Sequence, residues 1–257
     1  MLTYIYDSSF DGYLCALEII FSNQNIPEDI ISESAFLNNL FSDTIKIQTD
    51  YSLSEAFLKK IGTKYSLEVL RDLMLVFITS DPGVEMVLFE YLKYIQKHGI
   101  RSIQNYSNST IRKVRKLCQK VTFEIHRLKG LLRFHKLKDG TFYGPLEPDY
   151  PIIQMLAPHF RKRFGNQKWM IHDTKRNTAI FCDGKKWESV ELEEEDAAVF
   201  KAIMNNDPSY VDLEEKFYQS LWKTYFNAIA IQERKNPRLQ KQFMPKRYWK
   251  YLIEKQG

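Results

Sequence analysis

Hydrophobic and polar positions alternate at the start of the chain and then take up a helical spacing. The opening "LTYIYD" has the alternation of a short strand. In "DSSFDGYLCALEIIF" apolar residues recur every three or four positions behind a cap at Ser8 or Ser9. "TIKIQT" indicates a second strand, and helical patterns follow over about 53–61, 66–78 and 83–97, the last between Pro82 and Gly99. The pattern predicts a helical N-terminal half with a short two-strand edge.

A long helix is predicted from Ser109 to Leu128, with one apolar side and one basic side. Its apolar stripe consists of Ile111, Val114, Leu117, Val121, Ile125 and Leu128. At 100° per residue, the opposite side carries Arg112, Arg115, Lys116, Lys120, His126 and Arg127. We therefore expect this helix to pack through one side and to expose a cationic strip on the other.

The central part of the chain changes to a β pattern. Asp139-Gly140 separates "LLRFHKL" from "TFYGPLE" as in a hairpin, and a helix is predicted between Pro151 and Gly165. The stretches "KWMIHD", "NTAIFCD" and "KKWESVEL" then indicate strands separated by polar turns. We predict a central antiparallel sheet with a helix on one face, which leaves the other face free to stay open.

The C-terminal part is predicted to be helical. "ELEEEDAAVF" begins a helix with carboxylates in its first turn, where the helix dipole favours them. A second helix, about 212–232, has apolar residues over a broad sector and is therefore expected to be largely buried. In the tail, Pro245 suits the first turn of a terminal helix that would turn Tyr248 and Leu252, or Trp249 and Leu252, to the core.

These elements define an α+β protein. They suggest a mostly helical acidic region, 1–105, and a basic α+β region, 106–257, and they are also compatible with one continuous domain. With 257 residues, of which 44% are hydrophobic, the chain can bury a substantial core. It has no apolar run of membrane-spanning length and no secretory signal pattern at its start, so we expect a cytoplasmic protein without membrane association.

The net charge of +5 conceals an asymmetry along the chain. Residues 1–100 contain 7 Lys or Arg and 14 Asp or Glu, a balance of −7, whereas residues 101–257 contain 30 and 18, a balance of +12. The segment from Arg234 to Leu252 has seven Lys or Arg and no acid. Such asymmetry either reflects solvated faces that differ in sign or indicates a polyanionic partner for the basic part.

Sequence patterns for the common catalytic chemistries are missing. There is no nucleotide-binding glycine loop, serine-hydrolase elbow or kinase motif. The three cysteines, Cys15, Cys118 and Cys182, are far apart, and the five histidines form no ligand spacing, so we expect neither a metal nor a cofactor. No motif joins the candidates for acid–base catalysis, which are His126, Glu147, Asp149 and His159; they would act only in the alternative that the protein is an enzyme on nucleic acid.

Nucleic-acid binding has the better physical support. Lys and Arg bind phosphates through counterion release, and aromatic rings offer surfaces for unstacked bases. The tail interleaves both kinds of residue, although we expect Trp249 to be a packing anchor rather than a contact for bases. The predicted nucleic-acid-binding residues are Arg112, Arg115, Lys116, Lys120, Arg127, Lys129, Arg133, Arg161, Lys162, Arg163, Arg234, Lys235, Arg238, Lys241, Lys246, Arg247 and Lys250.

Several longer stretches resemble a bacterial family of DNA-metabolism or DNA-repair proteins. These stretches are "YDSSFDGYLCALEIIF", "HRLKGLLRF", "EPDYPIIQMLAPHF", "WMIHD" and "LWKTYFNAIAIQERKNPRLQKQFMPKRYWKYL". The characteristic positions are His126, Arg127, Lys129, Gly130, Arg133, Phe134, Pro158, His159, Phe160, Asn236, Pro237, Met244, Pro245, Lys246, Arg247, Tyr248 and Trp249. Ser8 stands where the family usually has glycine, a change that a turn tolerates.

The resemblance implies a cellular context rather than a mechanism. Members of that family are encoded beside a radical-SAM protein similar to spore photoproduct lyase, and a similar domain is fused to uracil-DNA glycosylase in some relatives. The resemblance brings no catalytic residues. We therefore expect a DNA-binding accessory protein of repair that cooperates with a radical-SAM or glycosylase partner. The alternatives are a glycosylase-like or nuclease-like enzyme and a protein–protein adaptor for the radical-SAM protein.

Overall fold

The computed structural model describes residues 2–36, 43–193, 196–234 and 236–256. It confirms the α+β class, with helices at both ends of the chain and a five-stranded sheet between them. The described residues divide into two compact units, unit 1 to Thr122 and unit 2 from Phe123. Along the described ranges, no helix has both the length and the apolar content that crossing a membrane requires.

Unit 1 contains a three-stranded parallel sheet and a set of helices. The strands are β1 (Leu2–Tyr6), β2 (Asp29–Ser32) and β3 (Asp43–Lys46), in the order β2-β1-β3. The helices are α1 (Phe10–Ser22), α2 (Tyr51–Lys64), α3 (Leu67–Phe77) and α4 (Val84–His98), followed by a 3₁₀ helix, Ile100–Gln104. The sequence pattern predicted β1 and β3 but not β2, whose four residues are too few to show a period.

Turn chemistry sets the start of α1. The Ser9 hydroxyl accepts a 2.9 Å hydrogen bond from the Gly12 N–H, so Ser9 is the N-cap. Ser8 has φ of 71°, in the left-handed region that favours glycine. A Cβ on Gly12 would lie 2.2 Å from Asp7 Oδ1, so a larger residue there would have to displace the Asp7 side chain.

The long helix α5 (Ser109–Leu131) continues from unit 1 into unit 2. Most of its predicted apolar stripe is buried, whereas Ile125 is only partly buried. Glu124 lies fully within the protein although it is a carboxylate, and its side chain is only 1% exposed. Its hydrogen-bond partners, described below, explain how it can be buried.

Unit 2 is built on a five-stranded sheet in the order β4-β5-β6-β7-β8. Its strands are β4 (His135–Lys136), β5 (Phe142–Leu146), β6 (Trp169–Asp173), β7 (Thr178–Cys182) and β8 (Trp187–Glu191). Neighbouring strands are antiparallel, as expected, except that β5 and β6 are parallel. The parallel pair arises because α6 (Ile153–Phe164) connects the two strands as a crossover helix.

Helices cover both faces of this sheet, although the sequence pattern required only one covered face. The helix α6 packs on β6 and β7. On the other face, Tyr143 packs with Ile203 and Phe200 of α7 (Asp196–Met204). The rings of Tyr143 and Phe200 are stacked with their centroids 5.1 Å apart. The remaining elements are α8 (Glu215–Ala228), α9 (Pro237–Phe243) and 3₁₀ helices at Gln232–Arg234, Lys246–Tyr251 and Ile253–Lys255.

The prediction that α8 is largely buried was wrong. Its apolar residues Phe217, Leu221 and Tyr225 are exposed, and its one buried residue among those described is Glu215. The helix packs through hydrogen-bonding residues instead. Glu215 accepts the Lys136 N–H, and the Trp222 indole donates to Glu254. A pattern of apolar residues identifies the hydrophobic side of a helix, but the helix can still pack on the protein through its opposite, polar side.

Candidate nucleic-acid interface

A buried carboxylate attaches the C-terminal segment to the rest of unit 2. Glu124 accepts hydrogen bonds from the N–H groups of Asp149 at 2.8 Å and Tyr150 at 3.1 Å. It also accepts a 2.5 Å bond from the Tyr248 hydroxyl. Tyr248 and Leu252 are both buried, which confirms the first of the two predicted arrangements for the tail. These contacts fix the position of the 3₁₀ helix Lys246–Tyr251.

A second carboxylate, Glu254, holds the last turn. Arg133 donates to it through Nε at 3.2 Å and through Nη2 at 2.7 Å, and the Trp222 indole N–H donates at 2.9 Å. Burial by itself raises the pKa of a carboxyl group, but the hydrogen bonds from Arg133 and Trp222 outweigh it, so the pKa of Glu254 is lowered. Arg133 is therefore part of the fold and has no free charge to offer a phosphate.

Other predicted phosphate contacts are also engaged within the protein. In unit 2, Arg247 pairs with Asp149 at 2.5 Å, and Lys250 pairs with Glu147. Hydrogen bonding by Lys250 lowers the pKa of Glu147. Arg161 donates to the backbone carbonyls of Lys185 and Gly165.

The same holds for two cations on the part of α5 that belongs to unit 1. Arg115 contacts Glu68 at 2.9 Å and Asp72 at 3.2 Å. Lys120 lies 3.5 Å from Asp81. Both charges are thus compensated within unit 1.

A larger set of predicted cations forms no ion pair within the described residues. This set consists of Arg112, Lys116, Arg127, Lys129, Lys162, Arg163, Arg234, Arg238, Lys241 and Lys246. Lys235 falls outside the described residues. The unpaired cations belong to three segments: α5, the end of α6, and the stretch from 234 to 246. The last of these segments also exposes the apolar and aromatic side chains of Leu239 and Phe243.

An open cleft of ≈ 670 Å³ lies beside that segment, between the end of α8, α9 and the last 3₁₀ helix. We call it the C-terminal cleft. Its apolar and aromatic lining includes Phe226, Ile229, Ile231, Leu239 and Phe243. The charged lining residues are Arg234, Lys255 and the buried Glu254. The Asn236 side chain caps α9 by accepting the Leu239 N–H at 3.0 Å. Phe243 is 62% exposed, which leaves most of its ring available for contact.

A smaller group of basic residues surrounds His159 on α6. The Nε2 atom of His159 is buried and has no hydrogen-bond partner among the described residues. Burial, together with the charges of Lys129 and Arg163, lowers the pKa of His159. Neither Lys129 nor Arg163 forms an ion pair within the described residues.

The four candidates for acid–base catalysis are in separate surroundings. His126 is exposed on α5, and His159 lies among the basic residues just described. Glu147 and Asp149 are occupied by Lys250 and Arg247. Within the described ranges, no hydrogen bond joins either histidine to either carboxylate. Nor does any group of three or more His, Cys, Asp or Glu in those ranges have the geometry to hold a metal ion.

Sequence reasoning missed the residues on the inward side of α8. Glu215, Gln219 and Trp222 follow one another at intervals of four and three positions, so they share one side of the helix. This spacing was available in the sequence. It was obscured because the apolar residues on the opposite side fit a buried helix better.

Comparison with known proteins identifies the family but not an activity. Residues 82–254 match the model of DUF4130, a domain of unknown function. The chain belongs to the DUF4130 domain family. The DUF4130 match extends from Pro82 to Glu254 and so includes nearly all of unit 2, with both carboxylates that hold the tail. No curated protein and no solved structure matches the sequence.

Proposed function

We propose that this DUF4130 protein binds single-stranded DNA at the C-terminal cleft and acts as an accessory protein in DNA metabolism. One observation carries the proposal. Arg234 has no ion pair within the described residues and lines a cleft whose aromatic and apolar side chains are exposed. Arg238 and Lys241, which also have no ion pair within those residues, belong to α9, the helix that forms one wall of this cleft. Of the other basic residues of the tail, Arg247 and Lys250 are already paired with carboxylates.

The combination of free cations with exposed aromatic and apolar side chains favours a single strand over a duplex. Cations alone serve either form, because both carry a regular row of phosphates. Exposed apolar side chains such as Phe243 and Leu239 gain nothing from a duplex, whose bases are stacked and covered. In a single strand the base faces are accessible, and each base that stacks on an aromatic ring contributes about 1–3 kcal/mol.

The cellular role rests on the sequence resemblance alone. That resemblance supports a bacterial DNA-repair context and cooperation with a radical-SAM protein or a glycosylase. In this proposal the protein holds or presents the strand and the partner performs the chemical step. Co-purification of the two proteins after nuclease treatment would test the partnership separately from DNA binding.

The DNA-binding proposal is tested by fluorescence anisotropy with a labelled single-stranded oligonucleotide at several salt concentrations. The variant R234A/R238A/K241A removes one cation of the cleft lining and two cations of α9, which forms one wall of the cleft. We expect its affinity at low salt to fall by at least about tenfold, and its slope of log K against log salt to become shallower by about 2, since each contact with a single strand contributes about 0.7.

A matched variant distinguishes specific contacts from a general loss of charge. The variant K175A/K185A/K186A also removes three exposed cations of unit 2, but these lie at the turns beside β7. We expect its affinity to stay within about threefold of the parent. Equal losses in the two variants, or no binding by the parent protein at low salt, would refute the proposed site.

A further inference from the structure

A second cavity in unit 2 has a different chemical character from the C-terminal cleft. It has a volume of ≈ 520 Å³ and lies between the inward side of α8 and the first strands of the sheet. We call it the α8 pocket. Aromatic rings from β5 and α8 line it, namely Phe142, Tyr218 and Trp222, and Glu215 and Gln219 supply polar groups. Its size lies within the range of pockets for small ligands.

The aromatic wall is held in a fixed orientation. The Trp222 indole donates its N–H to the buried Glu254, and the Arg133 guanidinium carbon lies 4.9 Å from the Trp222 ring centroid. Arg133 is itself fixed by two hydrogen bonds to Glu254. A ring held in this way can receive a planar ligand without first losing side-chain freedom.

The polar wall consists of a buried carboxylate within a network. Glu215 is 6% exposed, and it accepts the Lys136 N–H at 3.0 Å and the Gln219 amide at 2.9 Å. His135 lies 4.0 Å from Glu215, but burial lowers the pKa of His135, so this ring favours its neutral form. Each Glu215 oxygen has one hydrogen bond from this network and retains capacity for a further donor.

The basic residues at the pocket are already neutralised. Arg133 pairs with Glu254, and Lys136 pairs with Asp212 at 3.0 Å. A ligand phosphate would therefore find no free cation among the described lining residues and would lie close to the Glu215 carboxylate. The Glu215 carboxylate and the paired cations favour a neutral ligand that donates hydrogen bonds, and the aromatic rings favour a planar one.

We propose that the α8 pocket binds an unstacked nucleobase that presents N–H donors to Glu215, as adenine, cytosine and guanine do through their amino groups. Thymine has no amino group and offers a single ring N–H. The inference deepens the proposed function, because it assigns a base-reading site to the unit that binds the strand. It requires the bound strand to have at least one base free of stacking.

The test uses two probes that report separately on strand and base. An oligonucleotide with one 2-aminopurine reports strand binding through anisotropy and base unstacking through its own fluorescence. Free 2′-deoxycytidine (cytidine below) and thymidine carry the same sugar, and calorimetric titration of each reports on the pocket without any phosphate. We expect cytidine to bind at least about fivefold more tightly than thymidine, because only cytidine offers an amino group to the carboxylate.

Two substitutions and a control identify the site. Y218A removes an exposed ring of the pocket, and we expect it to weaken cytidine binding by about tenfold. E215Q retains an acceptor for the Lys136 N–H but removes the charge, so the preference for cytidine over thymidine should disappear. Y210A, which removes an exposed ring outside the pocket, should leave both nucleosides unaffected.

The outcomes separate the two proposals. Strand binding with no nucleoside binding, and with the same 2-aminopurine signal in the parent and Y218A, overturns the pocket while the strand-binding function stands. Nucleoside binding without strand binding supports the pocket and overturns the strand-binding function. Equal binding of cytidine and thymidine overturns the role of Glu215, and failure of every probe overturns both proposals.

Discussion

The Tyr248 hydroxyl donates a 2.5 Å hydrogen bond to Glu124, a residue 124 positions earlier in the chain. The carboxylate is almost fully buried and depends on this hydroxyl and two backbone N–H groups for its hydrogen bonds. One tyrosine oxygen therefore stabilises both the buried Glu124 and the position of the tail. Removing it should affect stability more than its exposed area suggests.

We expect Y248F to lower the free energy of unfolding of unit 2 by about 1.5–3 kcal/mol, the range for hydrogen bonds to charged groups. The ring stays, so the loss reports on the hydroxyl alone. Urea denaturation followed by tryptophan fluorescence measures it. Y210F is the control, because the Tyr210 hydroxyl has no hydrogen bond within the described residues. A loss for Y248F no larger than that for Y210F would contradict the assigned role.

The stability of unit 2 should fall when the pH drops below about 6.5. Burial lowers the pKa of both His135 and His172 in the folded protein. The unfolded chain, with ordinary histidine pKa values, therefore takes up protons first as the pH falls, and each histidine costs up to about 1.4 kcal/mol per pH unit. Above about pH 6.5 the two histidines are neutral in both the folded and the unfolded protein, so protonation no longer reduces the stability.

The variant H172Q tests this assignment through the pH dependence of the unfolding free energy. We expect a shallower decline between about pH 7 and 5 than in the parent protein, since one of the two buried histidines is missing. H126Q, which replaces an exposed histidine of the same unit, is the matched control. Parallel curves for the parent and H172Q would show that His172 does not carry the effect.

Two glycines on helices should respond in opposite directions to the same substitution. In G12A the new methyl group would lie 2.2 Å from Asp7 Oδ1, so we expect unit 1 to lose about 1–3 kcal/mol. In G130A nothing lies within 4 Å of the new methyl, and the helix gains from the better propensity of alanine, about 0.5–1 kcal/mol. Thermal unfolding of the two variants measures both changes in stability. A higher stability for G12A would contradict the close approach of Asp7 to Gly12.

The exposed side of α8 should tolerate polar substitution. Phe217 is 60% exposed, and serine has nearly the same helix propensity, so F217S should change the unfolding free energy by no more than about 0.5 kcal/mol. I203A, in the core between α7 and the sheet, should cost about 2–5 kcal/mol. Chemical denaturation compares them. If F217S lowered the unfolding free energy as much as I203A, the result would support the sequence-based prediction that α8 is buried.

The sequence was sufficient to predict the elements whose buried residues recur at a regular helical or strand spacing. The stripe on α5, the Asp139-Gly140 turn and the boundaries of α4 at Gly83 and Gly99 follow from spacing and turn chemistry, and the structure agrees with them. For the tail the sequence left two arrangements open, and the structure buries Tyr248 with Leu252, whereas Trp249 is only partly buried.

Features that depend on distant partners could not be obtained in this way. Whether a cation is free or paired depends on carboxylates far away in sequence, as for Lys250 with Glu147. The orientation of α8 depends on whether its polar side finds partners, and Glu215 finds the Lys136 N–H only after the sheet has formed. Periodicity ranks residues by polarity, but it has no information about these partners.

The attachment of residues 248–254 to Glu124 and Arg133 has a consequence for synthesis on the ribosome. Unit 1 has its whole sheet and helical set once Thr122 has emerged, and domains generally fold as they appear. Unit 2 receives the last donor for Glu124 and the carboxylate for Arg133 only when nearly all of its residues are made. Until then, Glu124 lacks one hydrogen-bond donor and Arg133 lacks its carboxylate partner. On a ribosome stalled before Tyr248, we therefore expect unit 2 to be a partly folded, protease-sensitive intermediate.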